Sequence, residues 1–429
     1  MSSSRMGLTF ATCGFIGGPP WMERVSGIIA RTYSLYLHKS LREFMEDVPL
    51  PYLVDTLASL KDLSLLENKY VAIDLDHIFG RLLALEQYST AFSPSGNGAS
   101  IQPSLRLRDA KFLEVCTYRE LLWILSHAPN LESLSFGAVS VLGAVTPAEA
   151  AVIMDSTLSR VTSLQLGMRT HMPDVALDQV FALMPNLTSF TTTQLVPSIA
   201  QALSTFCTNL ETNCPTLTKF DGIRHVLSGS IWEEPWVCQE LTFLRCQVRG
   251  VQRLSSQDQE RSSAIFFCGS LSEDDIRLLQ RRRTSVQHQT KIYRKLATLT
   301  QLRVLDLGVE YRRLNRGLQM SAGHYLTVNR FFPDTLELTL ESGLGQLETL
   351  KALQVFGFEG VDHKIGEAEL EWMARKWTEL EEMRGLHKFP ARKEYKRRKD
   401  ELRKYFEGLR PDVKHQGDDS GYGNGPGWF

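Results

Sequence analysis

The sequence lacks an excess of charge of either sign and lacks paired-cysteine motifs. Its 429 residues contain 48 Lys or Arg and 49 Asp or Glu, a formal net charge of −1 that gives no general attraction to nucleic acid or acidic lipid. Seven cysteines are present, an odd number without a Cys-x-x-Cys pair, and we expect them to be reduced thiols. This cysteine usage predicts a protein of the cytoplasm or the nucleus.

The sequence also lacks the motifs on which catalysis and membrane insertion depend. It has no Gly-rich phosphate loop ending in Gly-Lys-Ser/Thr, no His-Glu-x-x-His and no Gly-x-Ser-x-Gly. Its ten histidines are scattered and form no recognisable zinc-ligand set. No run approaches the roughly 18 uninterrupted apolar residues of a membrane-spanning helix. We therefore expect no enzymatic activity, no cofactor, no metal and no membrane partner.

What the sequence does contain is a short apolar phrase that returns along the chain. Residues 129–136, Pro-Asn-Leu-Glu-Ser-Leu-Ser-Phe, recur as Pro-Asn-Leu-Thr-Ser-Phe at 185–190 and as Pro-Thr-Leu-Thr-Lys-Phe at 215–220. The general form is apolar-x-x-apolar-x-apolar, which is typical of leucine-rich repeats. Good matches begin at residues 60, 131, 161, 241, 302 and 350, weaker matches begin at 85, 187, 217 and 380, and degenerate strands are expected at 105–107 and 336–340.

The spacing of the phrase predicts an α/β solenoid. From 131 to 241 the phrases start 30, 26, 30 and 24 residues apart, at or just above the roughly 20–29 residues of a leucine-rich repeat. The intervening segments switch to helical spacing, most clearly over 121–125, 175–184 and 196–209. Strand-helix alternation at this period places parallel strands on a concave face and helices on a convex face. We therefore predict a leucine-rich-repeat horseshoe.

The repeat also predicts the organisation of the chain. Insertions are expected near 93–103, a stretch rich in Ser, Gly and Pro, and near 250–295, where the phrase is interrupted. A Gly-rich composition favours disorder at the C-terminus. The predicted division is a leader or cap (1–45), the solenoid (46–386), a basic C-terminal helix (387–410) and a disordered Gly-rich tail (411–429).

The strand pattern nominates a binding surface. The apolar residues of the phrase face the core, so the residues between them and directly after them face the concave side. Most of these residues are small, but a few can make interface contacts because aromatic and arginine side chains dominate binding hot spots. The predicted protein-binding residues are Gln165, Phe243, Arg245, Gln247 and Asp306.

Two basic stretches leave an alternative open. Residues 277–295 contain seven Lys or Arg and no acidic residue, and residues 388–404 contain nine Lys or Arg against three acidic residues. Either stretch can contact phosphate, which favours a nuclear or nucleic-acid-associated adaptor. The first stretch is also consistent with a long basic loop that interrupts the repeat, and the second with a solvated surface helix. Aromatic residues suited to stacking on bases are few in 277–295, where Tyr293 stands alone.

The repeats and the C-terminal part of the chain resemble a known family. Residues 356–366, Phe-Gly-Phe-Glu-Gly-Val-Asp-His-Lys-Ile-Gly, continue into Glu-Ala-Glu-Leu-Glu-Trp-Met at 367–373, and Met-Arg-Gly-Leu follows at 383–386. With Leu-Arg-Pro-Asp-Val at 409–413, these segments are similar to the ribonuclease-inhibitor-like leucine-rich repeats of fungal F-box proteins. The resemblance covers about residues 48–414.

The resemblance implies a function. In that family, N-terminal F-box helices dock onto an adaptor of a cullin ubiquitin ligase, and the repeats hold the substrate. Leu-Pro-Tyr-Leu at 50–53 is similar to the opening of an F-box, but a repeat strand follows from Leu60, so the F-box is missing or diverged. The implied function is a non-catalytic protein-binding scaffold that serves as the substrate-recognition part of an SCF-type ubiquitin ligase.

Overall fold

A computed structural model of the chain contains two compact units, residues 1–197 and residues 198–429, each with its own parallel strands. The described residues are 7–9, 34–37, 62–65, 73–74, 87–90, 94–95, 106–117, 128–140, 160–166, 184–192, 216–227, 238–248, 250–251, 253–265, 271–308, 334–359, 361, 363–386 and 393–416.

The first unit is built on parallel strands. Their bounds are β1 (Gly7–Thr9), β2 (Ser34–Leu37), β3 (Asp62–Leu65), β4 (Ile73–Asp74), β5 (Gln87–Thr90), β6 (Pro94–Ser95), β7 (Asp109–Thr117), β8 (Ser133–Ser140), β9 (Ser163–Leu166) and β10 (Ser189–Thr192). In the order β1-β2-β3-β5-β7-β8-β9-β10, each strand pairs in parallel with the next. Strands β4 and β6 form a separate parallel pair.

Among the described residues, the second unit is also built on parallel strands, and helices are described in it as well. Its strands are β11 (Lys219–Leu227), β12 (Phe243–Val248), β13 (Val304–Asp306), β14 (Val355–Gly357), β15 (Glu382–Arg384) and β16 (Lys414–Gln416), and each pairs in parallel with the next. Its helices are α1 (Ser256–Ile265), α2 (Glu273–Leu296), α3 (Glu367–Lys376), α4 (Lys393–Leu409) and a 3-10 helix (Leu344–Thr349). The predicted α/β class with parallel strands is confirmed.

The chain enters its repeat strands through a common turn. The first apolar residue of the phrase donates its backbone N–H to the carbonyl three residues earlier, as Leu131 does to Ala128 at 3.1 Å. Pro129 occupies the second position of that turn, where the fixed φ of proline is preferred. The apolar residue that precedes Pro-Asn therefore belongs to the repeat as well. The same bond recurs at Leu187, Leu241, Leu302, Leu353, Leu380 and Val413.

A bridging carbonyl joins most of the neighbouring repeats. The consecutive N–H groups of Thr162 and Ser163 donate to the carbonyl of Glu132 in the preceding repeat at 2.8 and 3.0 Å. The hydroxyl of Thr162 donates to the same carbonyl at 3.2 Å. This arrangement fixes the register of neighbouring strands through backbone that lies beside them. Carbonyls that accept two N–H groups in this way belong to Arg108, Glu132, Thr162, Thr218, Thr242, Arg303 and Gln354.

The shared register aligns the apolar residues of the phrase in rows on one face of the sheet. In the second unit the ring of Phe356 lies 4.9 Å from the ring of Trp377, measured between centroids. Burial of one large apolar side chain contributes about 1.5–3 kcal/mol, so these rows are the main stabilising contacts of the strands. Side chains no more than 3% exposed form the row Phe220, Leu244, Leu305, Phe356 and Met383.

Helices α1 and α2 are inserted between β12 and β13, which pair directly. The connection from β13 to β14 contains residues 334–350, and this segment packs on α2. The backbone N–H of Glu337 donates to Gln289 Oε1 at 2.9 Å, and the N–H of Leu338 donates to Tyr293 Oη at 3.1 Å. Leu338 has a φ of +57°, which is unfavourable for leucine, and the hydrogen bond that its N–H donates to Tyr293 helps to hold it. The two inserted segments thus fold against each other.

Several strand positions differ from the sequence-based expectation. Residues 1–45, predicted as a leader or cap, contribute β1 and β2 to the sheet. The strand expected at 105–107 lies at Asp109–Thr117, because the phrase there is Leu107-x-x-Ala110-x-Phe112 with a small alanine at a leucine position. The phrase expected to begin at Leu350 begins at Leu353, since Leu350 provides the turn carbonyl.

Other predicted segments also need correction or lie outside the described residues. The backbone over 336–340 forms no strand, because the N–H groups of Glu337 and Leu338 donate to side chains of α2. The expected loop near 93–103 contains β6, and the expected tail from 411 contains β16. The helices predicted over 121–125 and 196–209 lie outside the described residues, as does the helix predicted over 175–184 except for Met184, whose carbonyl accepts the turn bond of Leu187.

His415 gives the C-terminal strand a pH-dependent stability. It lies in register with Met383, its ring meets Phe406 edge-on at 5.9 Å, and neither ring nitrogen has a hydrogen-bond partner among the described residues. Burial lowers the pKa of His415, and of the charges facing it Glu407 raises that pKa while Arg403 lowers it. The unfolded chain takes up the proton first as pH falls through about 6.5.

We therefore expect the free energy of unfolding to fall as pH drops below about 6.5 and through the lower pKa of the folded state. Above that range His415 makes no pH-dependent contribution. Urea unfolding between pH 7.5 and pH 5 checks this. His415→Leu is expected to flatten the dependence, and His288→Leu is the control for loss of one histidine. An unchanged pH dependence in His415→Leu would contradict the assignment.

Candidate functional site

Strand alternation gives the sheet of the second unit an apolar face and a polar face. The polar face carries two rows of residues in register, which we call the outer row and the ion-pair row. The outer row is Lys219, Phe243, Val304, Val355, Glu382 and Lys414. The ion-pair row is Asp221, Arg245, Asp306, Gly357 and Arg384.

The outer row contains an apolar strip three strands wide. Phe243, Val304 and Val355 are half-buried neighbours, with Lys219 on one side and Glu382 on the other. Lys219 Nζ and the guanidinium carbon of Arg245 each lie 5.4 Å from the centroid of the Phe243 ring. Both distances fall within the range of a cation–π contact, so the ring of Phe243 contacts two cations. The strip is partly exposed, and its aromatic residue has charged neighbours within the chain.

The ion-pair row lies beside the outer row and is buried. Arg245 Nη1 lies 3.3 Å from Asp221 Oδ1, and Arg245 Nε lies 3.3 Å from Asp306 Oδ2. All three side chains are less than a tenth exposed. Arg384 Nη1 lies 3.6 Å from Asp306 Oδ2, and Arg384 Nε lies 2.9 Å from Glu382 Oε1. Opposite charges therefore alternate across the strands from β11 to β15.

Gly357 makes the pairing of Asp306 with Arg384 possible. It occupies the ion-pair row on β14, between the strands that carry these two residues. A Cβ atom added at Gly357 would lie 2.4 Å from Asp306 Oδ1 and 2.5 Å from its carboxyl carbon. Because real Cβ atoms do not approach other atoms so closely, any side chain here would displace the carboxylate. The same carboxylate accepts the backbone N–H of Gly308 at 3.1 Å.

The ion-pair row is suited to hold neighbouring side chains in place. Its carboxylates are held by guanidinium groups, and removal of one partner from a buried pair costs about 3–5 kcal/mol because it leaves an uncompensated charge. Cys246 lies next to Arg245 in the chain, and burial raises the pKa of its thiol, with Asp306 acting in the same direction. That thiol is therefore protonated at neutral pH and is a poor nucleophile.

The five predicted binding residues differ in how far they are exposed. Gln165 is exposed on β9 of the first unit, and Phe243 is half-buried in the outer row. Arg245, Gln247 and Asp306 are no more than 5% exposed, which corrects the expectation that they present surface to a partner. The reason is the ion-pair row, which consumes Arg245 and Asp306 in contacts within the chain. Their part in binding stays a prediction and is indirect.

Sequence reasoning passed over several residues of this site. Asp221 and Arg384 complete the ion-pair row, and Lys219, Val355 and Glu382 complete the outer row. The signal was available for Lys219 and Asp221, which flank the strand residue Phe220 of a recognised phrase. No such signal marks Val355, because the sequence-based phrase starts three residues too early and so assigns Val355 to the apolar core.

The first basic stretch lies in a helix whose early arginines have acidic partners within the chain. Residues 277–295 belong to α2, which corrects the expected loop. Its N-terminus is a capping box in which Ser272 and Asp275 exchange hydrogen bonds, with acidic residues through the first turn. Arginines early in the helix form ion pairs within the chain. The pairs are Arg277 with Glu273 at 3.3 Å, Arg281 with Asp258 at 3.8 Å and Arg282 with Glu341 at 2.6 Å.

The C-terminal basic stretch overlaps α4, which an arginine fastens to the last repeat. Arg410 donates to the carbonyls of Trp377, Thr378 and Leu380 at 3.0–3.3 Å. It also pairs with Asp412 at 2.7 Å, and that hydrogen bond raises the pKa of Arg410 and lowers the pKa of Asp412. The end of α4 is thus held against the turn that precedes β15.

No protein-family model matches the chain, and no curated protein matches it by sequence. Among the described residues, no cluster of His, Cys, Asp and Glu is arranged to hold a metal ion. None of the helices in those residues is both long enough and apolar enough to cross a membrane.

Proposed function

We propose that the chain is a leucine-rich-repeat solenoid of the horseshoe type, with the polar face of its sheets on the concave side. The support is the recurrence of one turn and one bridging carbonyl at successive strands. Most of these repeats are 24 to 30 residues long, close to the leucine-rich-repeat period. Parallel strands in chain order are the other feature that such a solenoid requires.

We propose that this scaffold is non-catalytic and binds another protein through the outer row. The observation that carries this proposal is the half-buried strip of Phe243, Val304 and Val355, held beside a rigid ion-pair row. An aromatic side chain that is already ordered loses little conformational entropy on binding, so its contact area contributes more fully to affinity.

Partner recovery from cells tests this proposal. We expect Phe243→Ala to reduce recovery of the bound protein at least about tenfold, as truncation of an interface anchor does. Ile276→Ala on α2 is the matched control, because Ile276 is a 44% exposed apolar residue outside the outer row. Both variants are first checked for an unchanged unfolding midpoint. Full retention of every partner by Phe243→Ala would remove the outer row as the binding surface.

We further propose that the scaffold is the substrate-recognition part of an SCF-type ubiquitin ligase, acting in the cytoplasm or the nucleus. The support is the resemblance of residues 356–386 and 409–413 to fungal F-box proteins. The same recovery experiment has a second readout, because a cullin adaptor is expected with the wild type and with Phe243→Ala alike. If the adaptor is missing from both, the ligase role fails while the protein-binding role is unaffected.

The nuclear or nucleic-acid-associated alternative has less support. Arg277, Arg281 and Arg282 each have an acidic partner within the chain, so phosphate would compete with existing ion pairs. Partners that are lost on nuclease treatment and at raised salt would favour this alternative instead.

A further inference from the structure

The spacing of the outer row restricts the backbone of a bound segment. Neighbouring strands lie about 4.8 Å apart, so Phe243, Val304 and Val355 span about 9.6 Å across the sheet. An α-helix advances about 4.5 or 6.0 Å in three or four residues, and its positions i and i+7 are about 10.5 Å apart on one face. An extended segment repeats its side chains every 6.6 Å or so and falls out of step within two strands. The row therefore matches a helix that lies across the strands.

The charges along the outer row restrict the sequence of that helix. Asp221, Asp306 and Glu382 face Arg245 and Arg384, so three carboxylates against two guanidinium groups leave one net negative charge in this network. The outer row keeps its own order of charge. From β11 to β16 the order is positive, three apolar positions, negative and positive, in the residues Lys219, Phe243, Val304, Val355, Glu382 and Lys414.

We propose that the outer row binds an amphipathic helix of a partner protein, and this inference rests on the proposed protein-binding function. The helix presents apolar residues at i, i+3 or i+4, and i+7 to Phe243, Val304 and Val355. One turn earlier it carries an acidic residue over Lys219, and one turn later a basic residue over Glu382. An acidic residue one further turn along meets Lys414. The single acidic residue near the N-terminus suits the helix dipole, which favours the orientation with the N-terminus toward Lys219.

Two synthetic peptides test this inference with the full chain. The first is a 22-residue alanine-based helix with Leu at positions 8, 11 and 15, Glu at 4 and 22, and Lys at 18, following the spacing of the row. The second keeps the leucines and the spacing but has every charge reversed, with Lys at 4 and 22 and Glu at 18. We expect the first peptide to bind, and the reversed peptide to bind at least about tenfold more weakly because like charges then face each other. Fluorescence anisotropy of labelled peptide measures both affinities.

A charge-swapped protein provides the matched control. Lys219→Glu combined with Glu382→Lys is expected to prefer the reversed peptide, and Lys219→Glu alone is expected to narrow the difference. Unfolding midpoints show whether each variant is folded. Equal binding of both peptides to wild type would overturn the charge assignment. If neither peptide binds while Phe243→Ala still abolishes partner recovery, the helix inference is wrong and the protein-binding function stands. If partner recovery does not depend on Phe243, the proposed function itself fails.

Discussion

Replacement of Arg245 by methionine is expected to lower the free energy of unfolding by about 3–5 kcal/mol. The guanidinium lies 3.3 Å from both Asp221 and Asp306, and all three side chains are less than a tenth exposed. Methionine fills much of the same volume but leaves Asp221 as a buried carboxylate without its cation. The loss is therefore dominated by an uncompensated charge. Urea unfolding at neutral pH, with the slope compared between variants, measures it.

Lys376→Met is the matched control for Arg245→Met. Lys376 pairs with Glu348 at 2.9 Å in the same unit, but its side chain is 41% exposed and that of Glu348 is 51% exposed. Exposed pairs of this kind contribute about 0–1 kcal/mol. If the two substitutions lower the free energy of unfolding equally, the buried charges of the ion-pair row do not stabilise the sheet more than an exposed pair does.

Replacement of Gly357 by alanine is expected to cost about 3 kcal/mol or more, the range for breaking a buried ion pair. The added methyl carbon would stand 2.4 Å from Asp306 Oδ1, so the carboxylate must leave its place. Its contacts with Arg245, Arg384 and the Gly308 N–H are then lost together. The expected result is a loss of stability and, through the outer row, weaker partner binding. Denaturant unfolding and partner recovery measure the two effects.

A second substitution isolates the clash between a side chain at position 357 and the Asp306 carboxylate. In a chain that already carries Asp306→Ala, Gly357→Ala is expected to cost less than about 1 kcal/mol, because the three atoms nearest the added methyl are then absent. Gly408→Ala is the control for the loss of a glycine, since a Cβ there meets no atom within 4 Å in the helix α4. It is expected to stabilise by up to about 1 kcal/mol. A large cost of Gly357→Ala in both backgrounds would show that the carboxylate is not the cause.

Strand positions follow from the sequence where the residues of the phrase also form the turn that precedes the strand. The phrase beginning at Leu131 carries Pro-Asn in the turn and large apolar residues in the strand, so its position follows from local chemistry alone. Leu353 was missed because the equally apolar Leu350 three residues earlier imitates the start of a phrase while its carbonyl accepts the turn bond. The strand over Asp109–Thr117 was misplaced because Ala110 is small, although its row position is buried.

The candidate site was predicted only in part, because alternation gives the face of a side chain and not its exposure. Arg245 and Asp306 were correctly assigned to the same face, but their pairing joins residues 61 positions apart through strand register. Arg384 reaches Asp306 across a strand whose only contribution at that point is the missing side chain of Gly357. The role of Gly357 cannot be read from the sequence alone, because it depends on which residues lie beside it in the neighbouring strands.

The bridging carbonyls align neighbouring strands whatever the length of the connection between them. Successive carbonyls of this kind are 24 residues apart between Thr218 and Thr242, but 61 apart from Thr242 to Arg303 and 51 apart from Arg303 to Gln354. The entropy of closing a longer connection rises only slowly with its length. A lineage can therefore acquire new surface, as with α1 and α2, by lengthening one connection while every strand keeps its partner.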